Sequence, residues 1–212
     1  MDFIHPLANE YAAQYSNATP PYLKEVYEST LAAHPHAYMQ SSWTQGGFLS
    51  LISKLLQPKY ILELGTFSGF SAMCLAEGLV NDGQLHTLEL REPDGINAQN
   101  NINQSPHKDK IKIHVGDAIE TLQHLTAPWD IVFIDADKVN YGKYYQMIFP
   151  FVKKNGLIIA DNVLFHGEVF SETLKGKNAK AIHAFNEMIV SDQLADTVLL
   201  TVRDGLSLIR KK

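Results

Sequence analysis

The residues best equipped for chemistry are polar groups that end apolar runs. "DIVFIDADK" finishes in Asp135, Asp137 and Lys138, and "GLIIADN" finishes in Asp161 and Asn162. "GQLHTLEL" carries Glu89, "KIKIHVGD" closes on Asp117, and "KYILELGTFSGFS" holds Glu63, Gly65, Thr66 and Ser71. Asp135, Asp161 and Asn162 offer two carboxylates and an amide, an oxygen set suited to Mg²⁺, Ca²⁺ or Mn²⁺. The same residue types also build turns and cap helices, so spacing alone leaves both roles open. The nine histidines are scattered and there is one cysteine, Cys74, with no spacing that suggests a zinc site. His166 stands apart because it follows Asp161 and Asn162 within one loop.

The glycine turn after the first run is informative through what it lacks. A dinucleotide fingerprint reads G-x-G-x-x-G, but here Phe67 and Phe70 occupy the second and third glycine positions. Phosphate approach is obstructed and Glu63 adds negative charge. Glu89, ending the second run, is placed to accept both hydroxyls of a ribose. An acidic loop beside a ribose acceptor suits a cationic nucleoside without phosphates. S-adenosylmethionine has both features.

These residues need elements to carry them. Three helical segments come first: "HPLANEYAAQYS", "TPPYLKEVYESTLAAH" with Thr19 as its expected N-cap, and "TQGGFLSLISKLLQ". The third places Phe48, Leu51, Ile52, Leu55 and Leu56 on one helical face. Strands and helices then alternate through five apolar runs, which predicts a mostly parallel sheet with helices on both faces. "DTVLLTV" and "LSLIRKK" flank Arg203-Asp204-Gly205 and predict a closing antiparallel hairpin. The expectation is one domain over 1–212, with a helical N-terminal extension over 1–57.

Composition sets limits. The 212 residues are 45% hydrophobic and 19% charged, which is globular. A net charge of −5 gives no broad basic field for nucleic acid, although a small basic patch stays possible. The lone cysteine and the lack of a basic, apolar leader point to a cytoplasmic protein that crosses no membrane.

At these motifs the chain resembles the metal-dependent, S-adenosylmethionine-dependent O-methyltransferases of the caffeoyl-CoA and catechol type. "ILELGTFSGFSAMCLAEGL" and "HVGDAIETL" are similar to that family's cofactor motifs. "FIDADKVNYGKYY" and "GLIIADNVLFHGEV" are similar to its metal-site motifs. The resemblance implies a Rossmann-like, seven-stranded methyltransferase sheet with one antiparallel strand in the C-terminal hairpin, and a homodimer. It implies Asp135, Asp161 and Asn162 as metal ligands and Lys138 as general base. It implies Met39, Ser41, Glu63, Gly65, Thr66, Ser71, Glu89, Asp117, Ala118 and Asp135 around S-adenosylmethionine. Trp43, Phe165, His166 and Phe170 are candidates for the pocket of a catechol-like or caffeoyl-type phenolic acceptor. Arg203 departs from the pattern, since relatives often carry a small residue before the terminal "DG". Two alternatives accompany this reading: a tRNA hydroxyuridine methyltransferase and an NAD-dependent oxidoreductase.

Overall fold

The computed structural model describes residues 4–212, so the first three residues of the expected N-terminal extension lie outside it. Three helices open the chain: α1 (Pro6–Gln14), α2 (Lys24–Ala33) and α3 (Trp43–Leu56). Then come β1 (Tyr60–Leu64), α4 (Phe70–Ala76), β2 (Gln84–Glu89), α5 (Glu92–Ile102), β3 (Ile111–Val115), α6 (Ala118–Leu122) and β4 (Trp129–Ile134). The chain closes with α7 (Tyr141–Ile148), β5 (Val152–Asp161), α8 (Lys177–Ser191), β6 (Ala195–Leu200) and β7 (Leu206–Lys211). The strands form one seven-stranded sheet in the order β3-β2-β1-β4-β5-β7-β6. β7 runs antiparallel to both its neighbours, and the β1, β2, β3, β4 and β5 pairings are parallel. This is the architecture the run of strands predicts.

Alternate residues of the sheet feed two cores. Leu62, Leu64, Val132, Ile134 and Ile158 pack on one face with Tyr141, Ile148, Ile182 and Phe185 from α7 and α8. Ile61, Ile131, Phe133 and Ile159 pack on the other with Leu49 of α3 and Phe70, Met73 and Cys74 of α4. Burial on both faces explains why these strands read as continuous apolar runs rather than alternating ones. Cys74 is buried and unpaired, a small hydrophobe in that second core. Among the described residues no helix is long and apolar enough to cross a membrane.

One helical expectation is corrected and another is refined. Thr19 does not cap the second helix: its hydroxyl donates to the Trp43 carbonyl at 2.6 Å, and a 3₁₀ turn over Pro21–Leu23 precedes α2. The apolar stripe of α3 divides: Phe48 and Ile52 pack partly buried against the second core, and the rest does not. Leu51, Leu55 and Leu56 are exposed, while Gln45, Gly46, Gly47, Ser50 and Ser53 are buried. Close approach decides this. A Cβ on Gly46 would meet the Phe70 ring at 2.6 Å, and a Cβ on Gly78 would meet the Ser53 backbone at 2.1 Å. The small residues Gly46 and Ser53 let α3 lie close on α4 and the turn after it, so Leu49 and its neighbours pack while Leu51, Leu55 and Leu56 point away.

Candidate active site

Strand order reverses between β1 and β4, where their following connections leave in opposite directions and open a crevice at the carboxyl ends. A cleft of about 440 Å³ occupies that position, a volume suited to a small ligand. Its wall holds Met39, Ser41, Gly65, Thr66, Ser71, Glu89, Asp117, Ala118, Asp135, Lys138, Asp161, Asn162, Phe165 and His166. Fourteen candidates scattered over the sequence are thus gathered at one sheet edge.

Gly65 shows why the turn after β1 needs glycine. Its φ is 97°, and a Cβ there would sit 2.1 Å from the Asp135 carbonyl oxygen. The β1 and β4 ends therefore meet backbone to backbone, leaving the space above them for a ligand. Glu89 is aimed by two main-chain donors. Phe67 N–H donates to one carboxylate oxygen at 2.8 Å and Arg91 N–H to the other at 2.9 Å. Each oxygen keeps a free lone pair, so a 1,2-diol can still be bound at both. Asp117 caps α6, accepting from Ile119 N–H at 2.7 Å and Glu120 N–H at 3.1 Å.

Three candidates lie elsewhere. Glu63 is wholly buried behind the cleft wall, where Thr87 Oγ1 donates to it at 2.5 Å and its other oxygen has no partner among the described residues. Burial pushes its carboxyl up to about 8, against the pull of the Thr87 hydroxyl. Burial thus works against the negative charge expected of Glu63. Trp43 packs between Tyr27 and Phe70. Phe170 is exposed in the 3₁₀ segment Phe165–Phe170, away from the cleft wall.

The acids sit at the other end of the cleft from Glu89. Ile134 of β4 pairs with Ala160 of β5, so the next residues, Asp135 and Asp161, leave the sheet side by side. Asp161 is 1% exposed; its Oδ2 accepts from Gln45 Nε2 at 2.6 Å and its Oδ1 from Asn162 N–H at 2.7 Å. Burial first, and then the neighbouring Asp135, push its carboxyl up to about 6. Asn162 has a left-handed φ of 58°, a conformation asparagine tolerates, and its side-chain amide has no protein partner among the described residues. Two close carboxylates with an unused amide beside them fit a hard divalent cation. Among the described residues no three His, Cys, Asp or Glu side chains form a metal cluster, so the oxygen set here is two carboxylates and one amide.

Lys138 lies beside these acids. Its ammonium donates to Asp135 Oδ1 at 3.0 Å and to Tyr141 Oη at 2.8 Å. Burial lowers its pKa, but the facing Tyr141 and Asp135 outweigh burial and hold it above the ordinary lysine value. Tyr141 is buried and lies 3.2 Å from the Ile134 carbonyl and 3.0 Å from that of Asp161, both acceptors for its hydroxyl. It thereby ties the ends of β4 and β5 to Lys138. Asp137 is engaged away from the acids, accepting from Tyr144 Oη and from Asn140 Nδ2 at 2.7 Å.

Gln45, Arg203 and Tyr141 complete the site without a sequence signal that singled them out for it. Arg203 Nη1 donates to Gln45 Oε1 at 2.6 Å, so Gln45 links a guanidinium to Asp161. A buried glutamine just before "GG" on the packed face of a helix is the signal that would have found it.

A profile of the O-methyltransferase family matches residues 13–212. The chain belongs to the O-methyltransferase family. It is 35% identical over 173 residues to a catechol O-methyltransferase of Niastella koreensis, covering 77% of this chain and 78% of that one. It is 30% identical to a caffeoyl-CoA O-methyltransferase of Eucalyptus globulus, covering 91% and 82%. An O-methyltransferase from Bacillus cereus, solved in complex with SAH, superposes with a TM-score of 0.89 at 30% identity over 97% of both chains. The chain is thus an S-adenosylmethionine-dependent O-methyltransferase of the catechol and caffeoyl-CoA type, and the oxidoreductase alternative falls.

Proposed function

We propose that this O-methyltransferase moves a methyl group from S-adenosylmethionine to one hydroxyl of a catechol-like or caffeoyl-type phenol, with a divalent cation assisting. The carrying observation is the convergence of Asp135, Asp161, Asn162 and Lys138 at one end of a cleft whose other end is Glu89. The catechol and caffeoyl-CoA relatives support the acceptor class, and the Bacillus cereus complex supports the cofactor.

Each residue then has a task. Glu89 accepts the ribose hydroxyls, and Asp117 and Ala118 flank the base. Met39, Ser41, Gly65, Thr66, Ser71 and Asp135 border the methionine end. The sulfonium supplies an activated methyl group. Asp135, Asp161 and Asn162 would hold the cation, which would lower the pKa of an acceptor hydroxyl and fix both oxygens of a vicinal diol. With Asp135 engaged elsewhere, Lys138 would release its resting proton to solvent and, as a neutral amine, take the hydroxyl proton on Nζ. Phe165 and His166 border the acceptor side. Little covalent work falls to the protein, so positioning and electrostatics carry the rate.

The test is methyl transfer to catechol and caffeate with and without a divalent metal. Excess chelator is expected to abolish transfer while calorimetric SAH affinity stays within about threefold, under a 0.7 kcal/mol change. Undiminished transfer in chelator would remove the cation from the reading. Methylation of bulk tRNA with none of catechols would overturn the acceptor class.

The exposed Leu51, Leu55 and Leu56 of α3 support a homodimer, because such a stripe is a common association surface. Light scattering is expected to give twice the chain mass, and Leu55→Glu to shift it toward the monomer. A monomer in the unaltered protein would overturn this assembly.

A further inference from the structure

Arg203 is a cation the methyl-transfer steps leave unused. It stands in the turn between β6 and β7 with φ 49°, a conformation that favours glycine and strains any residue with a side chain. The turn is pinned: Leu164 N–H donates to the Asp204 carbonyl at 2.9 Å, and Val163 N–H to that of Gly205 at 3.3 Å. Arg203 is therefore presented by fixed backbone, and it lines the cleft beside Asn162, Phe165 and His166.

Its guanidinium is only partly satisfied. One N–H reaches Gln45, and the others have no protein acceptor among the described residues. Among the described residues no carboxylate bonds to it directly, and Asp161 acts on it only across Gln45. The adjacent Asp204 instead accepts from His166 N–H at 2.7 Å and faces the His166 ring. A part-buried guanidinium with free donors and no directly bonded carboxylate is a receptor for a planar anion, because its fork matches a carboxylate. One amide, that of Gln45, separates it from Asp161 through two 2.6 Å bonds. A single aromatic ring spans a comparable distance, with a diol at one edge and a carboxylate at the other.

We propose that Arg203 binds a carboxylate on the methyl acceptor, so that the preferred acceptors are acidic single-ring catechols. This rests on the catechol reading above and narrows it. The rival role for Arg203 is to balance Asp161 through Gln45, and the two roles differ in what they do to different acceptors.

The test compares kcat/KM for 3,4-dihydroxybenzoate and for catechol in the unaltered enzyme, R203G and R203K. Glycine suits the left-handed turn, so R203G keeps the fold. The unaltered enzyme should favour the acid. R203G should lower the acid-to-neutral ratio about tenfold to a hundredfold, chiefly through KM, with R203K between them. Equal proportional losses on both acceptors, or an unchanged ratio, would overturn the proposal in favour of the balancing role. Calorimetry of benzoate against benzamide on the SAH-loaded protein reads the anion site without turnover. If no catechol is methylated yet benzoate binding depends on Arg203, the anion site stands and the catechol reading fails. If catechol is methylated but benzoate binds no better than benzamide, the carboxylate proposal fails alone.

Discussion

Asp161→Asn is expected to lower kcat/KM for a catechol by about a hundredfold or more, the order that follows from losing several kcal/mol of charge stabilisation at a cation-assisted site. The substitution keeps the shape of the side chain and removes its charge. It leaves the Gln45 or the Asn162 N–H donor without a carboxylate oxygen, since both oxygens of Asp161 are in use. Addition of Mg²⁺ should raise the Tm of the unaltered protein and have little effect on the variant. A variant with full activity and an undiminished metal response would remove Asp161 from the ligand set.

The same substitution has a pH signature in the metal-free protein. The folded-state pKa of Asp161 is raised to about 6, above the ordinary carboxylate value of about 3.9, by burial and then by Asp135. A raised carboxyl favours folding while protonated and loses that advantage as pH climbs through the folded value. The native state therefore becomes progressively less stable between about pH 4 and 6 relative to a neutral side chain, by up to about 3 kcal/mol. Asparagine does not titrate. The stability difference between Asp161→Asn and the unaltered protein should move in favour of the variant from pH 4 to pH 7, as read by denaturant titration at each pH. A difference independent of pH would mean that Asp161 carries no buried-charge cost.

The parts of the site legible in the sequence are those whose residues end buried strands. Asp135, Asp161 and Glu89 interrupt long apolar runs, and a parallel sheet sends all such ends to one edge. The five parallel strands were legible for the same reason, and the hairpin through Arg203-Asp204-Gly205 through its turn residues. What escaped depends on packing between elements. Periodicity marks the apolar stripe of α3 but does not register that Gly46, Gly47 and Ser53 permit a closer approach on another face. Gln45 was hidden with that face. Glu63 read as a nearby negative charge because a sequence carries no depth; only in three dimensions does its carboxyl lie buried under the cleft, where burial disfavours that charge. Tyr141 was visible as a residue of "VNYGKYY", but its position above the Ile134 and Asp161 carbonyls needs β4 and β5 to be adjacent.

Lys138→Met and Lys138→Arg together separate a base from a charge. If Lys138 removes the acceptor proton, both variants should lower kcat by about 10²- to 10⁴-fold, the range for loss of a positioned base. Methionine has no basic nitrogen, and arginine keeps its proton throughout the working pH range. SAH affinity should stay within a few-fold, because Lys138 reaches Asp135 and Tyr141 rather than the Glu89 end of the cleft. Metal affinity gives an independent readout with the opposite sign. In the resting protein the ammonium occupies Asp135 Oδ1 at 3.0 Å and competes there with a cation. Lys138→Met removes that competitor and should tighten Mg²⁺ binding while turnover collapses. Lys138→Arg should leave Mg²⁺ affinity near its original value with turnover equally low. If arginine instead restores turnover, Lys138 acts through its positive charge and the proton leaves by another route. Steady-state rates and Mg²⁺ calorimetry on the three proteins distinguish these cases.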